Sequence, residues 1–170
     1  TNGTAAIVEF PGVLYRSGAE QKIRKYLVDN NYVDTVIQLP GDLFFGTTIA
    51  TCIIVLKKSK ADSSVLFVEA SELFTRSGNK NMLADEHQQQ ILDAFTARTD
   101  REHFAELVNN DTIAGNGYNL TVSSYVEQAD TTETVDITAL NAEIAGIVAR
   151  QHELRTAIDA IVADLDQGVT

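Results

Sequence analysis

Apolar and polar positions follow two rhythms along this chain. Ala5-Ala6-Ile7-Val8-Glu9-Phe10 is a short apolar run stopped by Pro11-Gly12, the pattern of a strand buried in a parallel sheet. A helical period follows. Ser17 and Glu20 have the Ser-x-x-Glu spacing of a capping box, and Ile23, Tyr26 and Leu27 fall on one face with Lys22, Arg24 and Lys25 outside it. Asn30-Asn31 ends that helix, and Val33 to Leu39 returns to strand. Ala5 to Leu39 therefore reads as a strand–helix–strand unit with a right-handed crossover, which is α/β architecture. Ala50 to Leu56 comes after a loop too short to hold a crossover helix, so it must pair antiparallel with a neighbouring strand. Beyond the polar turn Lys57 to Ser64, Val65-Leu66-Phe67-Val68 is a further strand by its apolar and β-branched content.

The second half is more helical in period. A loop with Gly78, Asn79 and Asn81 leads to a helix capped by Asp85 and striped by Ile91, Leu92 and Phe95. Phe104, Leu107 and Val108 supply the stripe of a short helix behind it. Asn116-Gly117 marks a turn, and Leu120 to Val126 reads as a weak extended segment. Residues 127–133 lack any bulky apolar side chain and predict a linker. After it, Ile137, Leu140, Ile144, Ile147, Gln151, Leu154, Ile158, Ile161 and Leu165 are spaced alternately by three and four. That is the a/d seam of a coiled coil over about four heptads. An aliphatic strip of this regularity needs a cover, because left in water it is an exposed patch. Gln151 is the one polar seam residue and suits a register-setting role.

Charge divides the chain. The net charge is −11, but residues 1–60 carry +2 and the remainder −13. An acidic surface repels phosphates, so the second half is excluded as a nucleic-acid face. The longest uninterrupted apolar run, Ile53 to Leu56, is far too short to cross a bilayer. The single cysteine, Cys52, lies in an apolar strand and predicts a buried, inert thiol; without an internal disulfide partner it fits a cytoplasmic protein. His87, His103 and His152 are scattered on polar faces without metal spacing and are expected in solvent. The glycines form neither a G-x-G-x-x-G nor a G-x-x-x-x-G-K spacing. Glu69, at the end of a strand, is expected to hold the following turn rather than to act as a catalytic carboxylate.

Between two strands lies Leu39-Pro40-Gly41-Asp42-Leu43-Phe44-Phe45-Gly46-Thr47-Thr48. Loops run over the surface because their backbone groups need partners. A Phe pair carried there is placed either to touch a flat partner such as a nucleobase or to tuck under the sheet as core.

In order and spacing, several blocks closely resemble the modification subunit of type I restriction–modification enzymes, which are adenine-specific DNA methyltransferases. These are Val13 to Leu27, Val33 to Pro40, Leu43 to Ile49, Val65 to Ser71, and Asn116-Gly117-Tyr118-Asn119-Leu120. The resemblance reaches to about Val126. It implies that residues 1–76 are the C-terminal half of a Rossmann-like class I methyltransferase sheet, with an antiparallel final strand. Residues 77–126 would then be a helical region and extended segment, 127–136 a linker, and 137–166 a long amphipathic coiled-coil helix.

The family's glycine-rich turn for S-adenosylmethionine and its Asn-Pro-Pro-Tyr/Phe motif are not found, and the chain starts at Thr1. The expectation is a C-terminal fragment, inactive alone, holding no catalytic residue, cofactor or metal. The parent would transfer methyl from S-adenosylmethionine to the exocyclic amine of adenine in DNA. By the resemblance, Phe44 stacks on the extruded adenine, with Phe45 and Thr47 beside it; Phe45 departs from the family's frequent Tyr, and Thr47-Thr48 from a Thr-Gly. The final helix would dock on the specificity subunit, in a complex that also includes the restriction subunit and DNA, or self-associate in the fragment. Two rivals remain: a non-enzymatic α/β scaffold whose coiled coil is its whole function, and a methyltransferase acting on RNA or protein. An Asn-Pro-Pro-Phe or Asn-Pro-Pro-Tyr upstream would favour amine methylation over the scaffold.

Overall fold

The computed structural model describes residues 2–128 and 137–167, with the side chains of the final helix described as far as Val162. Residues 1–129 and 130–170 form two separate compact units. In the first, a five-stranded sheet has the order β1-β3-β2-β4-β7. Its strands are β1 (Thr4–Glu9), β2 (Val33–Gln38), β3 (Cys52–Lys57), β4 (Ser64–Glu69) and β7 (Ala105–Asn109). The expected antiparallel strand is β3, which runs against both β1 and β2 and so separates two parallel strands. β4 lies parallel to β2 on its other side, and β7 closes that edge antiparallel.

Both faces of the central strands are covered. On β4, Val65 and Phe67 join one core cluster with Leu14, Val28, Val36 and Ile113. Leu66 and Val68 join the other with Ile37, Leu39, Ala70 and Ala94. Side chains alternate across a strand, so a strand buried twice reads as a continuous apolar run. One cover is α1 (Gly12–Tyr15), α2 (Ala19–Asp29) and α4 (Asn110–Gly115); the other is α3 (Asp85–Ala97).

Several expectations are corrected. β1 is not buried: all six residues are exposed, and it is an edge strand with β3 as its one neighbour among the described residues. Its apolar run specifies a strand, but without a second neighbour or a full cover it stays open. The N-cap of α2 is Gly18, with φ +81 and no side-chain cap, rather than Ser17. Its inward face is also rotated, since Arg24 is buried whereas Ile23 and Tyr26 are exposed. The guanidinium explains this: it donates to the carbonyls of Tyr118 at 2.7 Å and Val13 at 2.8 Å, tying α2 to α1 and to the loop after α4. Arg24 is thus buried with two of its donors paired to backbone carbonyls.

Asp85 opens α3 but does not cap it; the Ala84 amide donates to Nδ1 of His87 at 3.2 Å. His87 is therefore a structural cap and not a solvated histidine, its side chain only 12% exposed. Leu92 points outward, and Ala94 takes the buried position. The helix expected at Phe104, Leu107 and Val108 is strand β7, where Ala105 and Leu107 belong to one core cluster and Val108 to the other. Leu120 to Val126 is not extended but turns once as a 3-10 helix at Val122–Ser124, burying Leu120, Val122 and Val126. The Tyr125 ring lies 4.4 Å from that of Phe67, which is fully buried. Phe67→Ala should therefore cost about 3–5 kcal/mol, the cost typical of a buried aromatic truncated to a cavity. Urea unfolding should show a lower midpoint with an unchanged slope; a cost under about 1 kcal/mol would mean the two-sided core is not what holds the sheet.

The described residues of the second unit form one helix, α5 (Ile137–Gln167). At 1.5 Å per residue it is about 46 Å long. Among the described residues no helix is long and apolar enough to cross a membrane.

Candidate functional site

The parallel strands end together. Glu9, Cys52, Gln38 and Glu69 pair in register across β1, β3, β2 and β4. In open α/β sheets, ligands bind outside this carboxyl edge, and two exposed features leave from it here. The first is the loop between β2 and β3. Its base is closed by the Leu39 amide donating to the Thr51 carbonyl at 2.8 Å and by Nε2 of Gln38 donating to the same oxygen at 3.1 Å. The second is a hairpin after β4, formed by β5 (Thr75–Ser77) and β6 (Lys80–Met82). Glu69 holds the turn leading to it by accepting from the Ser71 amide at 3.0 Å.

Neither phenylalanine of the loop belongs to the core. Phe44 is 41% exposed and Phe45, at the tip, 100% exposed. Oγ1 of Thr47 accepts from the Ile49 amide at 3.1 Å, which shapes the descending side of the loop. Gly46 adopts φ +79, so the turn beneath Phe45 requires the conformational freedom of glycine. At the loop's neck a Cβ on Gly41 would stand 3.0 Å from the Thr48 carbonyl, and the residue type is fixed by that close approach.

The hairpin grips this loop from the side. Asp42, itself at φ +59, accepts from Nη1 of Arg76 at 2.9 Å and from Nζ of Lys80 at 3.2 Å. Asn81 donates its amide to the Asp42 carbonyl at 3.0 Å and its Nδ2 to the Gly41 carbonyl at 2.9 Å. Arg76, and then Lys80, hold the Asp42 carboxyl below its usual range. The ion pairs are thus intact at neutral pH and are lost only as pH falls through that lowered value. Ile49, Phe74 and Met82, on the loop and hairpin, are also exposed.

Sequence reasoning located Phe44, Phe45 and Thr47 but missed Asp42, Arg76, Lys80 and Asn81. The available signal was Gly78-Asn79, a two-residue hairpin turn with glycine first; Gly78 adopts φ +59 and Ser77 pairs with Lys80.

On α5, the seam residues Ile137, Leu140, Ile144, Ile147, Leu154, Ile158 and Ile161 are each 45–70% exposed, and Gln151 is exposed beside them. The Leu165 side chain lies outside the described ones, as does most of the expected linker 127–136. Cys52 is fully buried, and desolvation pushes its thiol up to about 11, which leaves it protonated at neutral pH and unreactive.

Among the described residues no cluster of His, Cys, Asp or Glu is arranged to hold a metal ion. Gly12, the glycine that follows β1, faces the Arg16 guanidinium, which stands 2.9 Å from where its Cβ would be.

Comparison with known proteins shows the family of the chain. The chain is 46% identical over 164 residues to the type I restriction enzyme MpnII methylase subunit of Mycoplasma pneumoniae, covering 96% of this chain and 30% of that protein. It is 32% identical to the MjaVII methylase subunit of Methanocaldococcus jannaschii, covering 87% of this chain and 27% of that one. Among solved structures, a type I restriction–modification methyltransferase subunit from Streptococcus thermophilus superimposes with a TM-score of 0.72 at 42% identity, covering 74% of this chain and 27% of that one. The chain thus spans less than a third of the length of these relatives. The model of the N-6 DNA methylase family matches residues 1–134, and the chain belongs to that family.

Proposed function

We propose that the full-length protein carrying this chain is the modification subunit of a cytoplasmic type I restriction–modification system. In this reading it transfers methyl from S-adenosylmethionine to the exocyclic amine of adenine in duplex DNA. This chain supplies the target-base side of the sheet and, through α5, the helix that docks on the specificity subunit; the restriction subunit joins the same complex. Chemistry that requires S-adenosylmethionine falls to parts of the parent outside these residues. The open edge and exposed apolar residues of β1 support a sheet that continues there into a Rossmann-like methyltransferase core.

One observation carries the reading. In a member of a DNA methylase family, two phenylalanines stand exposed at the carboxyl edge of the sheet, on a loop fixed from the side by a hairpin. Such rings suit an extruded base, which must recover part of an unstacking cost of about a few kcal/mol. The rest of the fragment matches a partner in a larger assembly better than a DNA clamp, because its acidic second half repels phosphates.

The test uses the full-length protein assembled with its specificity subunit, duplex DNA, and S-adenosylmethionine labelled in the methyl group. Digestion to nucleosides should place the label in N6-methyladenine. Label in cytosine, in RNA or in protein, or no transfer at all, would sink the proposal.

A further inference from the structure

We propose that Lys80 is a positioning residue for the target-base contact: its ammonium fixes the turn that presents Phe44 and Phe45. This inference rests on the target-base reading of that loop.

An ammonium has three hydrogens to donate and no acceptor. On Lys80 all three are used inside the protein, at 3.2 Å to the Asp42 carboxylate and at 3.1 Å to each of the carbonyls of Phe44 and Thr47. Those two carbonyls stand at the ends of the Phe44-Phe45-Gly46-Thr47 turn. One cation therefore bridges the two ends of the turn, while both rings stay exposed. Asp42, in turn, keeps the ammonium in place and is itself held by Arg76. The hairpin has little other structural use. β5 is exposed throughout and β6 is at most half-buried, and neither strand enters the core clusters.

A lysine near a candidate DNA surface is ordinarily read as a phosphate contact. The geometry argues against it here, because the donors that would reach a phosphate are already committed. Lys80 instead acts on the reaction through Phe44. Holding a contact group in its working position is worth a large factor in rate, and a misplacement of about 1 Å costs on the order of a hundredfold.

The test compares Lys80→Met, Lys80→Arg and Phe44→Ala in the full-length protein with its specificity subunit. The substrate is duplex DNA carrying 2-aminopurine at the target adenine, with an unmodified duplex for methylation. Lys80→Met keeps the stem and removes all three donors. It should slow methylation by about ten- to a hundredfold, alter the 2-aminopurine fluorescence of the complex, and leave the DNA dissociation constant and its salt dependence unchanged. Lys80→Arg retains a donating cation and should recover most of the rate, which a merely bulky or solubilising role would not predict. Thermal unfolding of Lys80→Met should match the parent; if it does not, the Lys80→Arg rate and fluorescence decide alone.

Two results would overturn the assignment. One is a Lys80→Met enzyme that methylates at the parental rate while Phe44→Ala is impaired, in which case the base contact stands without its clamp. The other is weaker DNA binding with the salt slope reduced by about one, which makes Lys80 a phosphate contact. If Phe44→Ala itself methylates normally, the target-base reading has failed first, and the clamp loses its purpose with it.

Discussion

Phe44→Ala in the full-length protein should reduce methyl transfer by about five- to 150-fold. That range is base–aromatic stacking of about 1–3 kcal/mol, converted at a factor of ten per 1.36 kcal/mol. Binding of duplex DNA should change little, because phosphate contacts fix the duplex whereas stacking acts on the extruded base. Phe45→Ala should cost less, although Phe45 is the more exposed ring. A stacking platform gains from being held in place before the base arrives. The backbone of Phe44 is held by Lys80 and its ring is partly supported, while the Phe45 ring stands wholly in the open at the tip. The measurements are single-turnover methylation and equilibrium DNA binding on the same preparations. A Phe44→Ala protein that loses about 3–5 kcal/mol of stability, as truncation of a core aromatic does, would return the ring to a packing role.

How much of this was legible in the sequence depends on how local the signal was. β3 and β4 were readable because strands covered on both faces leave unbroken apolar runs, and β2 because Val33, Thr35, Val36 and Ile37 are β-branched. The antiparallel placement of β3 followed from a connection too short for a crossover helix. β7 was not readable, since Phe104, Leu107 and Val108 have helical spacing by accident. Ala105-Glu106-Leu107-Val108 carries no clean alternation to compete with that spacing, and pairing with β4 is what makes it a strand.

Arg24 was misplaced for a related reason. A charged residue is read as solvated until its acceptors are known, and the carbonyl of Tyr118 is 94 residues away. The site followed the same rule. Its aromatic tip announced itself as an apolar pair in a loop. Its clamp, however, is made of Asp42, Arg76, Lys80 and Asn81, which individually look like ordinary surface residues, and Asp42 meets Arg76 and Lys80 only across separations of 34 and 38 residues. Contacts between distant polar residues leave no period in a sequence, so that half of the site required the structure.

Ile144→Asp combined with Ile158→Asp should abolish docking of α5 on a partner while leaving the sheet unit folded. Seven aliphatic seam positions from Ile137 to Ile161 are exposed on this helix, a strip with the a/d spacing that packs knobs into holes on a facing helix. Two aspartates fourteen residues apart sit two heptads from each other on the seam, so both would be buried on assembly. Each would then carry an unpaired charge out of water at a cost of several kcal/mol. Together these exceed what a helix–helix contact of this length can offset. The helix itself should survive, because exchanging Ile for Asp changes intrinsic helix propensity by only a few tenths of a kcal/mol. The sheet unit should survive too, since residues 1–129 have their own two-sided core. Co-purification with the specificity subunit should fail for the double variant, with its urea midpoint unchanged. If the unmutated chain instead sediments as a monomer at every concentration, and the double variant loses thermal stability as that monomer, the seam is covered by its own sheet unit and has no partner to recruit.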